Sequence, residues 1–160
     1  PEFIWVYHTI IPVFFLTLAI IIERKSVFWT AIVSTVMAYV LMLSFYAAFP
    51  AFYPRDWFTE TSISGFLVEL TRSIDASNNT FPSSHVTFAW LLVCFIGLSK
   101  LAEKHKWVQF VYILWAFLIS ISTVVLKQHF IVDVFSGISL AILCYFLAKH
   151  LVYERMLTTN

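Results

Sequence analysis

His129 and Asp133 stand four residues apart at the start of an apolar run, a spacing that puts both side chains on one face of a helix. An aspartate at a membrane edge is costly unless it has a partner. A carboxylate accepting from one imidazole nitrogen fixes the ring's tautomer and leaves the other nitrogen free to attack or to take a proton. Well upstream, Phe81-Pro82-Ser83-Ser84-His85 precedes another apolar run. Serine is a preferred N-cap, and a helix start offers unpaired N–H groups and the positive end of the helix dipole, so a phosphate binds there readily. Arg55 and Lys127 fall on the same side of the chain's spans, and cations beside two histidines suit a phosphate ester. The same residues also fit a plainer reading, in which Ser83 caps a membrane helix, His85 snorkels into the headgroups and His129 with Asp133 ties two spans together. His85, His129 and Asp133 are usual metal-ligand types, but no HExxH motif or carboxylate cluster accompanies them, and the sequence assigns no metal and no cofactor.

The elements that must position these residues are membrane helices. Of 160 residues, 61% are hydrophobic and only 12% charged, and a mean hydropathy of +0.86 leaves too little polar surface to face water on all sides. Five runs approach the roughly 20 residues a helix needs to cross a bilayer: Phe3-Ile22, Val27-Phe49, His85-Leu101, Trp107-Leu126 and Phe130-Leu151. Their apolarity is continuous instead of alternating, which favours helices over a barrel. The expected fold is therefore all-α, a polytopic transmembrane helical bundle of five spans forming a single membrane domain over residues 1–160. A net charge of +1 offers no basic field for nucleic acid. Cys94 and Cys144 lie inside apolar runs and read as packing residues.

The one long polar interruption, residues 50–84, is expected to be a functional loop with a short amphipathic helix near Ser62-Ile74, carrying Ile63, Phe66, Leu67 and Leu70 on one face. Trp57, Phe58 and Phe66 near it read as belt aromatics. Basic residues set the orientation. Arg24, Lys25, Lys100, Lys104, Lys106, Lys149 and Arg155 fall on one side, and Arg55, Arg72 and Lys127 on the other. The first side is expected to be cytoplasmic, so the loop and His129 face outward.

Pro82-Ser83-Ser84-His85, followed by Ser122-Thr123-Val124-Val125-Leu126-Lys127-Gln128-His129-Phe130-Ile131-Val132-Asp133, resembles the second and third signature motifs of the type 2 phosphatidic acid phosphatase superfamily, PSGH and SRxxxxxHxxxD. The likeness extends to layout from Phe49 to Gly137. Such enzymes have a six-helix core, which implies one further span before Pro1. The first motif, KxxxxxxRP, is matched by Pro54-Arg55-Asp56, with Ala48 at the lysine position and Asp56 at the proline position; Ser84 replaces the glycine of PSGH, and Thr123 the arginine of the third motif. Lys127, one turn on from position 123, is expected to compensate in part.

The resemblance implies that His129 attacks phosphorus, that Asp133 orients and charge-balances it, and that His85 protonates the departing alcohol. Arg55, Ser83, Ser84 and Lys127 would hold the phosphate oxygens, with no metal required. The expected function is a phosphatase that hydrolyses, through a phosphohistidine, a membrane lipid or polyprenyl phosphate or pyrophosphate presented at headgroup depth from within the bilayer. The compact spacing points to a bacterial inner membrane with the site facing the periplasm or exterior, although an organelle lumen gives the same arithmetic. Two other functions stay open: a phosphotransferase serving an alcohol acceptor, since inositol phosphorylceramide and sphingomyelin synthases resemble this superfamily, and a non-catalytic scaffold or transporter half using His8, Pro12, Gly97, Ser120 and Ser122 as a polar pathway. Small and hydroxyl residues are, however, ordinary in helix packing.

Overall fold

The computed structural model describes residues 1–55, 61–75 and 77–153, which leaves Asp56, Trp57, Phe58 and Arg155 outside the described residues. Among the described residues the structure is helical, with one isolated antiparallel bridge between Phe52 and Asn78. The first apolar run forms α1 (Phe3–His8) and α2 (Ile10–Ile21), which divide at Thr9. Pro12 lies in the first turn of α2, where its missing N–H leaves no internal bond unmade. The second run is α3 (Lys25–Ala48), of 24 residues.

After the loop comes α4 (Ile63–Ile74), in the place where the sequence predicts an amphipathic helix, started by Ser62, whose hydroxyl accepts from the Gly65 N–H at 3.1 Å. Its orientation reverses the logic of a water-soluble fold. Ser64, Val68 and Thr71 are buried against the bundle, while Ile63, Phe66 and Ile74 are 74%, 65% and 78% exposed. Polar staples fasten that inner face to α1: Trp5 Nε1 donates to Ser64 Oγ at 3.1 Å, Ser64 Oγ to Glu2 Oε2 at 2.9 Å, and His8 Nε2 lies 3.0 Å from Thr71 Oγ1.

The remaining elements are α5 (Ser84–Gly97), α6 (Lys100–Lys104), α7 (Lys106–Val125) and α8 (Ile131–Ala148), the last continued by a π-helical turn, Lys149–Tyr153. Four stretches are long and apolar enough to cross a membrane: Phe3–Ile21, Lys25–Ala48, Lys106–Val125 and Ile131–Val152. The expected fifth span is shorter. With 14 residues, α5 reaches only about 21 Å, against the roughly 30 Å of a hydrocarbon core. It stops because Ser99 caps the separate α6, accepting from the Ala102 N–H at 3.1 Å. α5 is also the central helix, packed against α2, α3, α7 and α8, with Val86, Ala89, Leu91, Leu92, Phe95 and Ile96 all buried. A helix apolar all round belongs inside a bundle. Around it the surface is oily, with Phe15, Phe110 and Phe135 among the exposed side chains, as an integral membrane protein requires.

Candidate active site

The site is built where three helix ends meet. α7 closes with a left-handed residue: Lys127 has φ 53°, its N–H bonds Val124 O at 3.0 Å, and the Gln128 N–H bonds Thr123 O at 2.9 Å. These two bonds are those of a Schellman motif, with lysine in the place that glycine usually takes. The turn throws the chain sharply back, and the His129 N–H also reaches Thr123 O, at 3.2 Å. Lys127 is therefore exposed beyond the helix end and does not share a helical face with Thr123. Thr123 itself is buried, and its hydroxyl bonds Ser120 O within its own helix at 2.8 Å.

His129, buried, donates from Nδ1 to the Thr80 carbonyl at 2.8 Å. A carbonyl only accepts, so Nδ1 carries the proton and Nε2 of the neutral ring has a free lone pair. Asp133 Oδ2 lies 3.5 Å from Nδ1, and its nearer partner is the Phe130 N–H at 2.9 Å, so the aspartate caps α8 while standing close to the ring. A loop carbonyl thus bears on the tautomer of the ring more directly than the carboxylate that the sequence reading put in that role.

The start of α5 is tied to the same place. The Ser83 N–H donates to Asp133 O at 3.2 Å, and Ser83 Oγ accepts from Val86 N–H at 3.5 Å. Gly137 permits the approach, since a Cβ there would sit 2.9 Å from Ser83 O and 3.2 Å from Thr87 Oγ1. Ser83 is fully buried and Ser84 partly open. His85, one residue further, lies within electrostatic range of His129, His8 and Asp75. Its Nδ1 is 3.1 Å from Tyr7 Oη, whose ring stacks on the imidazole with centroids 4.1 Å apart, and Tyr7 Oη donates to Asp75 Oδ2 at 3.2 Å. His85, His129, Asp133, Ser83 and Ser84 thus gather at one end of the bundle.

Arg55 joins this group from the loop, with Nη1 bonded to the Asp75 carbonyl, and it feels the charges of Asp75 and Arg72. Partial burial holds its pKa below the ordinary guanidinium value, opposed by the field of Asp75. Arg72 reaches from α4 to the end of α7, donating to Leu126 O at 3.3 Å. Sequence reasoning places Arg72 only among the charges that set orientation, and it misses Tyr7 and Asp75, which no motif or period connects to His85. Among the described residues, no group of three His, Cys, Asp or Glu side chains is arranged to hold a metal ion.

Two cavities border this point. One, of about 430 Å³, is lined by Ile10, Ile11, Phe14, Phe15 and Phe88 and ends on Ser84 and His85; Ile11 and Phe15 at its rim are exposed to the outside of the bundle. The other, of about 380 Å³, is bordered by Tyr39, Tyr46, Asp75, Asn78 and Asn79 and shares Ser84 and Phe88 with the first.

The sequence profile of the PAP2 superfamily matches residues 27–157. The fold is similar to the crystal structure of Aquifex aeolicus LpxE, with a TM-score of 0.68 at 19% identity over 93% of this chain and 86% of that one. No curated protein matches the chain by sequence.

Proposed function

The chain belongs to the PAP2 superfamily, and from that premise we propose that it is an integral membrane phosphatase that hydrolyses a lipid or polyprenyl phosphate through a phosphohistidine. The observation that carries this reading is that an oily cavity and a polar one share Ser84 in their walls, the oily one also bordered by His85. An amphiphile would lay its chain along Phe14 and Phe15 and its phosphate near the start of α5.

The chemistry follows from the proton positions. His129 Nε2, with its lone pair free, attacks phosphorus and forms an N–P bond. The P–O bond to the alcohol breaks, and His85 delivers a proton to the departing oxygen. The cationic phosphohistidine keeps its Nδ1–H on Thr80 O with Asp133 beside it. His85 then takes a proton from water as that water attacks phosphorus, and the N–P electron pair returns to Nε2. Arg55, Arg72, Lys127, the Ser84 hydroxyl and the α5 N-terminus would offset charge on the equatorial oxygens. Arg72 and Lys127 come to the end of α7, where the family's arginine would have stood on that helix. The loop of residues 50–84 then faces the periplasm or exterior of a bacterial inner membrane, as the distribution of basic residues favours.

The test is release of inorganic phosphate from phosphatidic acid, phosphatidylglycerol phosphate, undecaprenyl pyrophosphate and lipid A in mixed micelles. His129→Ala is expected to abolish release while the protein still inserts and folds; undiminished release rejects the nucleophile. Label that appears in a new lipid only when an alcohol is added would make the protein a transferase instead.

A further inference from the structure

Resting on the phosphatase reading, we infer that Asp75 and Tyr7 form a relay that fixes the tautomer of His85 and supports its positive charge, which makes Tyr7 a positioning residue for the acid step. The number of available protons decides the pattern. Tyr7 Oη lies 3.2 Å from Asp75 Oδ2 and 3.1 Å from His85 Nδ1. A phenol has one proton to give, and a carboxylate only accepts. The phenol proton therefore goes to Asp75, and the phenol lone pair must accept from Nδ1–H. His85 is thereby held with Nδ1 protonated and Nε2 turned to the reaction, the same tautomer that Thr80 O imposes on His129.

The surroundings favour this chain over chance contact. Tyr7 is only 2% exposed, and its ring stacks on the imidazole with planes 28° apart, so the hydroxyl is held at Nδ1 and shielded from competing water. Asp75 follows the C-terminal end of α4 and is placed by the Arg55 bond to its own carbonyl. The other groups facing His85 are engaged elsewhere, His129 with Thr80 O and His8 against Thr71 Oγ1. Three separate segments, α1, the end of α4 and the start of α5, must dock correctly before the relay exists.

When the P–O bond breaks, the proton on His85 Nε2 moves to the leaving oxygen, and the ring keeps Nδ1–H on Tyr7. Without the phenol, the neutral ring is free to place its proton on Nε2, and the imidazolium loses the carboxylate's support through the hydroxyl. Tyr7→Phe keeps the stacked ring and removes the relay. Its kcat with a lipid phosphate is expected to fall by about tenfold or more with KM nearly unchanged. Because the acid form is then less favoured, the basic limb of the kcat profile moves to lower pH. With a nitrophenyl phosphate ester, whose leaving group needs no acid, formation of the phosphohistidine, read as the burst of nitrophenol, is expected to stay near the wild-type rate. Asp75→Asn retains an acceptor but not the charge and is expected to show the same pattern, more weakly. Nitrogen-15 spectra of the His85 ring read the tautomer without turnover: protonated at Nδ1 in the wild type, mixed in Tyr7→Phe.

Equal losses of phosphohistidine formation on both substrates in both variants would reduce Tyr7 to a packing residue and overturn the inference, as would an unchanged tautomer and pH profile in an active Tyr7→Phe enzyme. A wild type that releases no phosphate from any lipid overturns the phosphatase reading instead, and the ring spectra still judge the relay.

Discussion

Lys127 holds a backbone conformation that costs a non-glycine residue about 1 kcal/mol, in the turn that delivers His129. Exchanging it for two different residues separates what its backbone and its charge contribute. Lys127→Gly should raise the thermal inactivation midpoint in detergent, by an amount equivalent to about 1 kcal/mol, and raise KM for the phosphate substrate. Lys127→Met should raise KM without the gain in stability. An unchanged KM in both would remove the ammonium from the phosphate site. Its neighbour Gln128 is 1% exposed, and neither amide atom has a hydrogen-bond partner among the described residues. A buried amide without partners costs about 1–3 kcal/mol. Gln128→Met, similar in volume and without that need, is therefore expected to raise the same midpoint. The His129–Asp133 pair and the Ser83 cap were legible in the sequence because each rests on local spacing. Tyr7 and Asp75 were not, because their relation to His85 exists only after α1, α4 and α5 have docked.

At the scale of elements, the contact between α5 and α8 holds together the helix starts that carry His85 and His129. Gly137 is a point of close approach, facing Ser83 O, Thr87 and Val86. Gly137→Ala places a methyl 2.9 Å from a backbone oxygen that cannot swing aside. The expected cost is about 1–3 kcal/mol of stability, together with a loss of kcat larger than the change in KM, because the strain separates the ends that carry His85 and His129. Wild-type thermal midpoint and kcat in the variant would refute this. The long apolar runs and the α4 segment could be read from composition and periodicity. What the pattern did not reveal was which face of α4 packs inward. In water the apolar stripe marks the buried side, but beside lipid that rule fails, and polar staples to Trp5, Glu2 and His8 hold the opposite face. The length of α5 was obscured similarly, since Leu98 and Leu101 extend the apolar pattern past Gly97 while Ser99 begins a new helix.

Across the whole molecule the two ends differ in chemistry. One end carries α4, Arg55, Arg72, His85 and His129. At the other, Arg24 pairs with Glu103 and also donates to Leu98 O at 3.0 Å, fastening the end of α5 to the α2–α3 connection. The guanidinium holds the Glu103 carboxyl below its usual pKa. A lowered folded-state value means that the pair contributes above the ordinary carboxylate pKa and is lost as pH falls through the lowered one. Since the pair is exposed and screened, high salt should weaken it, and Glu103→Gln is expected to leave phosphate release at neutral pH unchanged. The oily cavity, whose rim at Ile11 and Phe15 opens through the side of the bundle, has a kinetic consequence. A molecule arriving there comes by two-dimensional diffusion, so its encounter rate is governed by its mole fraction in the surface. Adding inert detergent at constant bulk substrate should slow the wild-type enzyme in proportion to that dilution, whereas a rate set by bulk concentration alone would mean that substrate enters from the aqueous side.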